Sequence, residues 1–211
     1  MEVLAISPAQ YVNQHNLIKQ MHELRASVFR DRLGWKVTTT GAGERDTYDD
    51  LHPTYIVAIS GGNVVGCARL LPAIGPTMLD LTFPQLLRDG RLNATSAMIE
   101  SSRFCVDTSL AAGRGGRQLN LATLTMFAGI IEWSMANGYD KIVTATDLRF
   151  ERILNRAGWP MARLGEPVAI GNTVAIAGAL AADKESLRQV RPPNYRSTFS
   201  YAEDHSARSA A

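Results

Sequence analysis

The fold class follows from the stretch Tyr55-Ile-Val-Ala-Ile-Ser-Gly-Gly-Asn-Val-Val-Gly-Cys-Ala-Arg-Leu-Leu71. Its two apolar runs, 55–59 and 64–71, have the length of β-strands, and Ser60-Gly-Gly-Asn63 between them is a strong hairpin signal. The two strands are therefore predicted to be antiparallel neighbours. An antiparallel pair in the middle of the chain excludes a purely parallel sheet.

The strongest helix signal in the chain lies downstream of this hairpin. It covers residues 119–135, and Asn137-Gly138 supplies the stop. Apolar strand-like runs at 98–106 and 141–146 flank the helix, and a strand, helix, strand succession gives a crossover connection. Because hairpins and crossovers occur in one chain, a mixed sheet is expected.

Shorter patterns predict the remaining elements. They comprise a strand at 3–6, a helix over 17–28 ending near Gly34, a short helix at 83–87, a helix from Asp147 to Ala157, and paired strands over 168–180 broken at Gly171-Asn172. Residues 34–50 lack apolar periodicity and form a loop long enough to be a lid or binding segment. The order favours a single three-layer α/β/α domain over residues 1–190, with a mixed, twisted sheet. Residues 191–211 are expected to be a loosely ordered tail.

Composition excludes several classes of protein. Apolar residues make up 45% and charged residues 20% of the 211 residues, as in an ordinary soluble globular domain, and the net charge of +2 is too small to favour nucleic acid. Cys67 and Cys105 lie in apolar runs and are expected to be buried thiols, with no Cys/His spacing for a metal. No apolar run approaches the roughly 18 residues of a membrane span, and the stretch from Met1 to Ser7 is not expected to be a signal peptide. A reducing cytoplasm is the expected location.

Aromatic and charged residues gather near the end of the first helix. Arg25 and Phe29 are four positions apart and share one face, which is offset from the apolar stripe, so that Arg25 need not lie in the core. Trp35, Asp46 and Asp49 follow in the long loop, which can fold over the same helix end. Aromatics with two acids suit a ligand that carries a cation, although packed surface residues give the same pattern.

Charged residues also stand inside two apolar strands. Arg69, Glu100 and Arg103 are costly to bury unless they are paired, so they indicate either an ion-pair network or a charged cleft. An ideal strand places Glu100 and Arg103 on opposite faces, because an odd number of positions separates them. If both line one cleft, a β-bulge must lie between them.

These residues together resemble the signature of the acyl-homoserine-lactone synthases of LuxI type, with the TraI branch most similar. The matching residues are Arg25, Phe29, Trp35, Asp46, Asp49, Arg69, Glu100 and Arg103. The surrounding motifs are Leu-Arg-x-x-Val-Phe at 24–29, Leu-Gly-Trp at 33–35, Glu-Arg-Asp-x-Tyr-Asp at 44–49, Gly-Cys-x-Arg-Leu-Leu-Pro at 66–72, Glu-Ser-Ser-Arg-Phe at 100–104 and Arg-Ala-Gly-Trp at 156–159. The resemblance extends from Met21 to about Leu180.

The resemblance implies an acyltransferase with an N-acetyltransferase-like fold. Such enzymes move an acyl chain from acyl-acyl-carrier protein to the α-amine of S-adenosylmethionine, and lactonisation then expels 5′-methylthioadenosine and yields a quorum-sensing autoinducer. S-adenosylmethionine is a substrate, so no cofactor or metal is expected. Similarity to the TraI branch implies a medium 3-oxo chain such as 3-oxooctanoyl.

Roles for single residues follow from the same resemblance. Glu100 is the expected general base, with Asp46 as the competing choice that alternatively binds the ammonium. Arg103 or Arg25 is expected to hold the methionine carboxylate, and Phe29 with Trp35 to face the sulfonium or adenine. The S-adenosylmethionine-binding set is therefore Arg25, Phe29, Trp35, Asp46, Asp49, Arg69 and Arg103.

Two further surfaces are implied in the second half of the chain. The acyl chain is expected in a pocket lined by Leu121, Leu124, Phe127 and Thr144. Thr144, or alternatively Thr146, occupies the region where the family places a hydroxyl residue that favours 3-oxo chains. The basic residues expected to dock the acidic carrier protein are Lys141, Arg149, Arg152 and Arg156.

Two alternatives remain open at this point. An acyl-coenzyme A dependent N-acetyltransferase of related fold would use Arg114-Gly-Gly116 as a pyrophosphate loop, although the full motif is incomplete. A catalytically silent module that binds thioesters or S-adenosylmethionine would keep the aromatics and dispense with Glu100.

Overall fold

The structure is a computed structural model that describes residues 1–41, 43–108 and 120–199. Its strands are β1 (Glu2–Ile6), β2 (Thr39–Thr40), β3 (Gly43–Glu44), β4 (Thr54–Ser60), β5 (Asn63–Pro72), β6 (Met98–Val106), β7 (Lys141–Asp147), β8 (Ala162–Arg163), β9 (Val168–Ile170) and β10 (Thr173–Ala181). Its helices are α1 (His15–Ala26), α2 (Met78–Leu81), α3 (Leu121–Ala136), α4 (Leu148–Arg156) and α5 (Lys184–Val190). The glycine-rich segment 113–116, considered above as a pyrophosphate loop, lies outside the described residues.

One mixed sheet forms the centre of the molecule. Its order is β1-β4-β5-β6-β7-β10-β8, with β9 paired to β10. The hairpin predicted at residues 55–71 is present as β4 and β5, and Gly61 and Gly62 adopt the positive φ angles, 58° and 81°, that its tight turn requires. The β6–β7 pair is parallel, because α3 connects the two strands as a crossover.

Helices cover both faces of this sheet. On one face, α3 and α5 pack on alternate residues of the strands, and the side chains buried there include Ile56, Phe127, Ile142, Ile176 and Leu187. On the other face, α1 packs against Tyr55, Val57, Cys67 and Cys105. The predicted three-layer α/β/α arrangement with a mixed sheet is confirmed.

A β-bulge interrupts β6 between Ser102 and Cys105, and Arg103 lies within it. Cys67 pairs with Cys105 and Arg69 pairs with Ser102, so that β6 carries one extra residue over this interval. Arg103 takes a φ of 54°, which is unusual for a residue with a side chain. The irregularity that the sequence required, if Glu100 and Arg103 are to share a cleft, is present.

Strands β6 and β7 are paired over only a short distance. The paired residues are Met98 with Lys141, Ile99 with Ile142, and Glu100 with Val143. Both strands continue, β6 to Val106 and β7 to Asp147, without further pairing to each other among the described residues. The pairing of the two strands therefore ends at Glu100 and Val143, and the unpaired interval beyond these residues is called the β6–β7 gap below.

Several elements differ from the prediction. The chain leaves α1 through a π-helical turn over Ser27–Arg32, and the predicted loop 34–50 holds the hairpin β2–β3 and a 3₁₀ turn over Thr47–Leu51. The short helix predicted at 83–87 is a single 3₁₀ turn over Pro84–Leu86, preceded by α2. The short elements α5 and β8 were not predicted, because their patterns are too brief to stand out.

The beginning of the expected tail packs against the sheet. Ser197 forms a parallel bridge to Val3, and the hydroxyl of Tyr195 donates to the buried carboxylate of Glu132 at 2.6 Å. The loose order expected for the tail therefore does not apply to residues 191–199, because a buried tyrosine and backbone hydrogen bonds hold them against the rest of the domain.

Candidate active site

Six residues, called the charged cluster below, meet between α1, the 34–51 segment and the strands β5 and β6. They are Arg25, Glu44, Asp46, Asp49, Arg69 and Arg103. All of them except Glu44 were predicted from the sequence as site residues. Their arrangement divides into a buried centre and a partly exposed rim.

Arg25 is the buried centre of the cluster. Its side chain has no exposed surface, Nε donates to Glu44 at 2.5 Å, and Nη1 and Nη2 donate to the two oxygens of Asp49 at 2.8 and 2.9 Å. The sequence pattern did not require Arg25 to lie in the core, but the residue is buried there because two carboxylates from the following segment satisfy its guanidinium. Burial alone raises the pKa of Asp49, but hydrogen bonding to Arg25 and the charges of Arg25 and Arg69 outweigh it and hold the pKa well below its usual range.

Glu44 is the residue that sequence reasoning missed. It is fully buried and joins Arg25 to Arg103, whose Nε donates to Glu44 Oε1 at 3.1 Å. The backbone of β3 sits directly on α1, since a Cβ at Gly43 would lie 2.3 Å from the carbonyl carbon of His22. His22 Nδ1 lies 2.7 Å from the carbonyl oxygen of Glu44, and burial followed by the charge of Arg25 lowers the pKa of His22.

Asp46, Arg69 and Arg103 form the side of the cluster toward solvent. Arg69 Nη1 donates to Asp46 Oδ1, and Arg103 Nη2 lies 2.7 Å from Asp46 Oδ2. The side chains of Asp46 and Arg103 are 17% and 14% exposed, whereas that of Arg69 is fully buried. Nη2 of Arg69 has no hydrogen-bond partner among the described residues, so this NH2 group remains as a donor for a ligand or water.

The aromatic pair of the signature stands beside this rim. The rings of Phe29 and Trp35 are stacked, with centroids 5.3 Å apart and an interplanar angle of 5°. The π-helical turn brings the chain back, so that the Trp35 N–H donates to the Phe29 carbonyl at 2.9 Å. Phe29 is buried, Trp35 is 38% exposed, and the guanidinium of Arg103 lies 5.6 Å from the Phe29 ring.

Glu100 lies on the same face but is deeply buried. Its carboxylate accepts the backbone N–H groups of Met78 at 3.1 Å and Leu79 at 2.6 Å, and the residue is only 1% exposed. Burial raises the pKa of Glu100, and those two N–H groups offset part of the rise. Arg103 Nη1 lies 3.6 Å from the sulfur of Met78, so that Glu100 and Arg103 contact the same residue.

The residues expected to line an acyl pocket lie on the opposite side of the sheet. Phe127 is buried and packs against Phe104 and Trp159, each with ring centroids 5.4 Å away. Thr144 is the first residue of β7 beyond its pairing with β6, and it is partly buried. Leu124 is partly buried, but Leu121 is 51% exposed at the start of α3 and does not form an enclosed wall.

The basic residues expected to dock a carrier protein are only partly brought together. Arg149, Arg152 and Arg156 are exposed on the short helix α4. Lys141 is exposed at the opposite end of β7, where six steps of about 3.3 Å place it roughly 20 Å along the strand from Asp147. The described residues therefore present one arginine face, and Lys141 is not part of it.

Two other properties concern only the part of the chain that the structure describes. No three His, Cys, Asp or Glu side chains within it approach each other in a way that could hold a metal ion. None of its helices has the length and apolar character needed to cross a membrane.

Comparison with known proteins places this geometry in a family. The sequence model for autoinducer synthases matches residues 9–190. The chain belongs to the autoinducer synthase family. An acyl-homoserine-lactone synthase of Rhizobium radiobacter is 68% identical over 212 residues that cover all of both chains, and one of Agrobacterium fabrum is 64% identical over 93% of this chain and 94% of its own. The chain is accordingly an acyl-homoserine-lactone synthase, an acyltransferase, and the resemblance noted in the sequence is confirmed.

Solved structures agree with this assignment. The autoinducer synthase LasI is 30% identical, with a TM-score of 0.78 over 90% of this chain and 93% of its own. BjaI, a CoA-dependent acyl-homoserine lactone synthase solved with SAM and isopentyl-CoA, is 22% identical, with a TM-score of 0.81 over 94% of both chains. A putative N-acetyltransferase from Lactobacillus plantarum has a TM-score of 0.54 at 14% identity, covering 87% of this chain and 100% of its own. The N-acetyltransferase-like fold of the autoinducer synthase is therefore confirmed.

Proposed function

We propose that the enzyme transfers an acyl chain from acyl-acyl-carrier protein to the α-amine of S-adenosylmethionine, and that the amide then closes to a lactone with release of 5′-methylthioadenosine. Resemblance to the TraI branch supports a 3-oxooctanoyl chain. The observation that carries the proposal is the rim of the charged cluster, where one acid and one arginine are partly exposed beside an exposed tryptophan.

This rim suits the amino-acid part of S-adenosylmethionine. That part carries an ammonium, a carboxylate and a sulfonium. The rim offers one side chain of suitable chemistry for each of these groups, namely Asp46, Arg103 and Trp35. Asp46 binds the ammonium, Arg103 binds the carboxylate, and Trp35 faces the sulfonium or the adenine. The presence of SAM in the BjaI complex supports the use of this substrate by a protein of the same fold.

The buried members of the cluster act on the ligand indirectly. The donors of Arg25 are taken by Glu44 and Asp49, so the carboxylate falls to Arg103. Glu44 and Asp49 position Arg25 and hold the 34–51 segment on α1. Arg69 fixes Asp46, and its unpartnered Nη2 group is available for the substrate or its water. The expected set of binding residues is thereby divided into ligand contacts and supports.

The amine of the substrate must lose a proton before it attacks the thioester. An α-amino group has a pKa of about 7.7–8.0, so deprotonation costs only about 1.4 kcal/mol per pH unit. We assign Glu100 as the base, reached through a water, because burial raises the pKa of Glu100 toward that of the amine. Asp46 is the weaker choice, since Arg69, Arg103 and the Tyr48 N–H already contact its oxygens.

Lactone formation needs mainly a folded substrate. The methionine carboxylate attacks its own γ-carbon, the carbon–sulfur bond breaks, and the neutral thioether leaves. Arg103 orients the carboxylate, and the Phe29–Trp35 stack limits the conformations of the chain, which supplies the entropic part of the rate enhancement.

The acyl chain enters through the β6–β7 gap. This gap opens next to Glu100 on the side of the charged cluster and leads to Thr144, Phe104 and Phe127 on the α3 side. Thr144 is the first residue of β7 beyond its pairing with β6, which supports Thr144 over Thr146 as the donor to a 3-oxo group. Leu124 and Phe127 provide the apolar lining on α3.

The acyl donor is proposed to dock on α4. Arg149, Arg152 and Arg156 present an arginine face suited to an acidic carrier protein, and α4 follows directly on the strand that borders the gap. A coenzyme A thioester is the second candidate donor, because BjaI is a CoA-dependent enzyme of the same fold.

A donor comparison tests the proposal. The purified enzyme is incubated with S-adenosylmethionine and either 3-oxooctanoyl-carrier protein or 3-oxooctanoyl-coenzyme A, and methylthioadenosine and free thiol are measured together. We expect both products in equal amounts, with the higher kcat/KM for the carrier protein. A higher kcat/KM for the coenzyme A thioester would identify that thioester, and not the carrier protein, as the acyl donor. Thiol release without methylthioadenosine would contradict lactone synthesis.

A further inference from the structure

Met161 occupies the space above Gly178, which is the residue directly opposite Thr144 on the next strand. Gly178 pairs with Thr144 in the β7–β10 register. Both residues point to the α3 side, since Ile176 and Leu180, at alternate positions of β10, pack there. A Cβ added at Gly178 would lie 2.1 Å from Cγ and 2.3 Å from Sδ of Met161. The absence of a side chain at Gly178 is therefore what allows Met161 to lie against the sheet.

The thioether of Met161 is consequently a neighbour of Thr144. Residues directly opposite on antiparallel strands have Cβ positions about 4.5–5.5 Å apart. Because Met161 fills the position of the Gly178 Cβ, its side chain borders the space over Thr144 on the side away from β6. A chain that passes from the β6–β7 gap across Thr144 meets Met161 next.

The backbone on both sides of Met161 is fixed. On one side, Trp159 Nε1 donates to the carbonyl of Ala181 at 2.8 Å. On the other, Arg163 belongs to β8 and binds both carboxylate oxygens of Glu151 on α4, at 2.7 and 2.8 Å. Met161 itself is 9% exposed. Only its flexible side chain is left to adapt to what lies beside it.

We propose that Met161, seated on Gly178, closes the far side of the acyl pocket and sets the longest acyl chain that the enzyme uses efficiently. The inference rests on the proposed function, because it takes the region beside Thr144 as the path of the acyl chain. It adds a specificity-determining pair to that path. Shortening Met161 opens the end of the pocket, and adding a side chain at Gly178 pushes Met161 into it.

The two changes have opposite expected effects. Rates of methylthioadenosine release are measured with 3-oxohexanoyl-, 3-oxooctanoyl-, 3-oxodecanoyl- and 3-oxododecanoyl-carrier proteins. Met161→Ala is expected to raise kcat/KM for the dodecanoyl donor relative to the octanoyl donor by about tenfold, the scale of a methylene fitting or not fitting an apolar pocket. Gly178→Ala is expected to shift preference toward the hexanoyl donor by a similar factor.

The double variant Gly178→Ala/Met161→Ala tests the contact itself. Its new Cβ has room once the thioether is gone, so octanoyl use should recover relative to Gly178→Ala alone. Gly129→Ala is the matched control, since a Cβ there would crowd Val3 at 2.7 Å in the core beneath β1 and should leave the ratio of chain lengths unchanged. If the alanine variant does not fold, Met161→Val is used in its place, and a smaller shift of chain-length preference in the same direction is expected.

The outcomes distinguish a failure of the role given to Met161 from a failure of the proposed function. Unchanged chain-length ratios in the Met161 and Gly178 variants of an active enzyme would overturn this inference and leave the proposed function standing. A wild-type enzyme that releases no methylthioadenosine with any donor would overturn the proposed function and this inference with it.

Discussion

Arg103 lies on the same face of the sheet as Glu100, although three positions of β6 separate them. Strict alternation would place them on opposite faces, and the bulge with a φ of 54° at Arg103 removes this conflict. A positive φ at a residue with a side chain costs about 1–3 kcal/mol, so the surroundings must hold it in place. Glu44 and Asp46 do so through the guanidinium of Arg103. The ion pairs of the charged cluster therefore stabilise the irregular backbone of β6.

Glu100→Gln is expected to lower kcat/KM by about 100-fold or more, because an amide cannot take the proton of the amine. The variant should also lose the limb of the pH profile along which the wild-type rate rises as Glu100 ionises. Burial raises the pKa of Glu100, so that this limb lies at higher pH than for an exposed glutamate. The measurement is kcat/KM against pH for both enzymes.

A second readout separates catalysis by Glu100 from support of α2. Gln retains one oxygen for the N–H groups of Met78 and Leu79, so some loss of thermal stability is expected in either case. A lower unfolding temperature with wild-type turnover and an unchanged pH profile would show that Glu100 only anchors α2.

Arg25→Met is expected to destabilise the fold by about 3–5 kcal/mol, because the buried carboxylates of Glu44 and Asp49 would both lose the guanidinium that they share. Urea unfolding measures the change. Arg30→Met is the matched control further along the same helical segment, since Arg30 pairs with Asp31 where both side chains are about half exposed. Its unfolding midpoint should hardly move. Equal midpoints for the two variants would contradict the role given to Arg25.

Thr144→Val is expected to reduce preference for 3-oxo over unsubstituted octanoyl donors by about fivefold, the size of one lost hydrogen bond. The shapes of threonine and valine are similar, so the unsubstituted donor should be used as before. Thr146→Val serves as the comparison, since Thr146 lies on the same face of β7 two residues further along. A shift with Thr146→Val alone would transfer the role to that residue.

Arg149→Glu/Arg152→Glu is expected to raise KM for acyl-carrier protein by about tenfold while KM for S-adenosylmethionine stays the same. The effect should shrink at high ionic strength, because these side chains are exposed. Lys184→Glu on α5 is the control for reversing an exposed charge elsewhere. An unchanged KM for the carrier protein in the double variant would remove α4 as its docking surface.

Local patterns were sufficient for the regular elements of the fold. The hairpin at residues 55–71, α3 with its stop at Asn137-Gly138, and α4 capped by Asp147 all follow from short-range signals, and the structure has each of them. Such signals act within one or two turns of chain. The elements that they specify can therefore be predicted without knowledge of the rest of the molecule.

The structure of the site depended on contacts that no local pattern contains. Glu44 and Arg45 are adjacent charged residues, yet Glu44 is fully buried by Arg25 and Arg103 whereas Arg45 is exposed and pairs with Asp50. The sequence pattern left the burial of Arg25 open for the same reason. Burial of a charge is decided by partners distant in sequence, and periodicity carries no information about them.

The most direct test of the central claim is a calorimetric titration of S-adenosylmethionine into the enzyme without an acyl donor. Wild-type enzyme is compared with Asp46→Asn and with Asp50→Asn, a neighbouring acid whose exposed side chain pairs with Arg45. The account predicts one site per chain, binding weakened about tenfold or more by Asp46→Asn, and binding within about twofold of wild type for Asp50→Asn. Equal affinity of the Asp46→Asn variant and the wild type would contradict the assignment of this rim as the S-adenosylmethionine site.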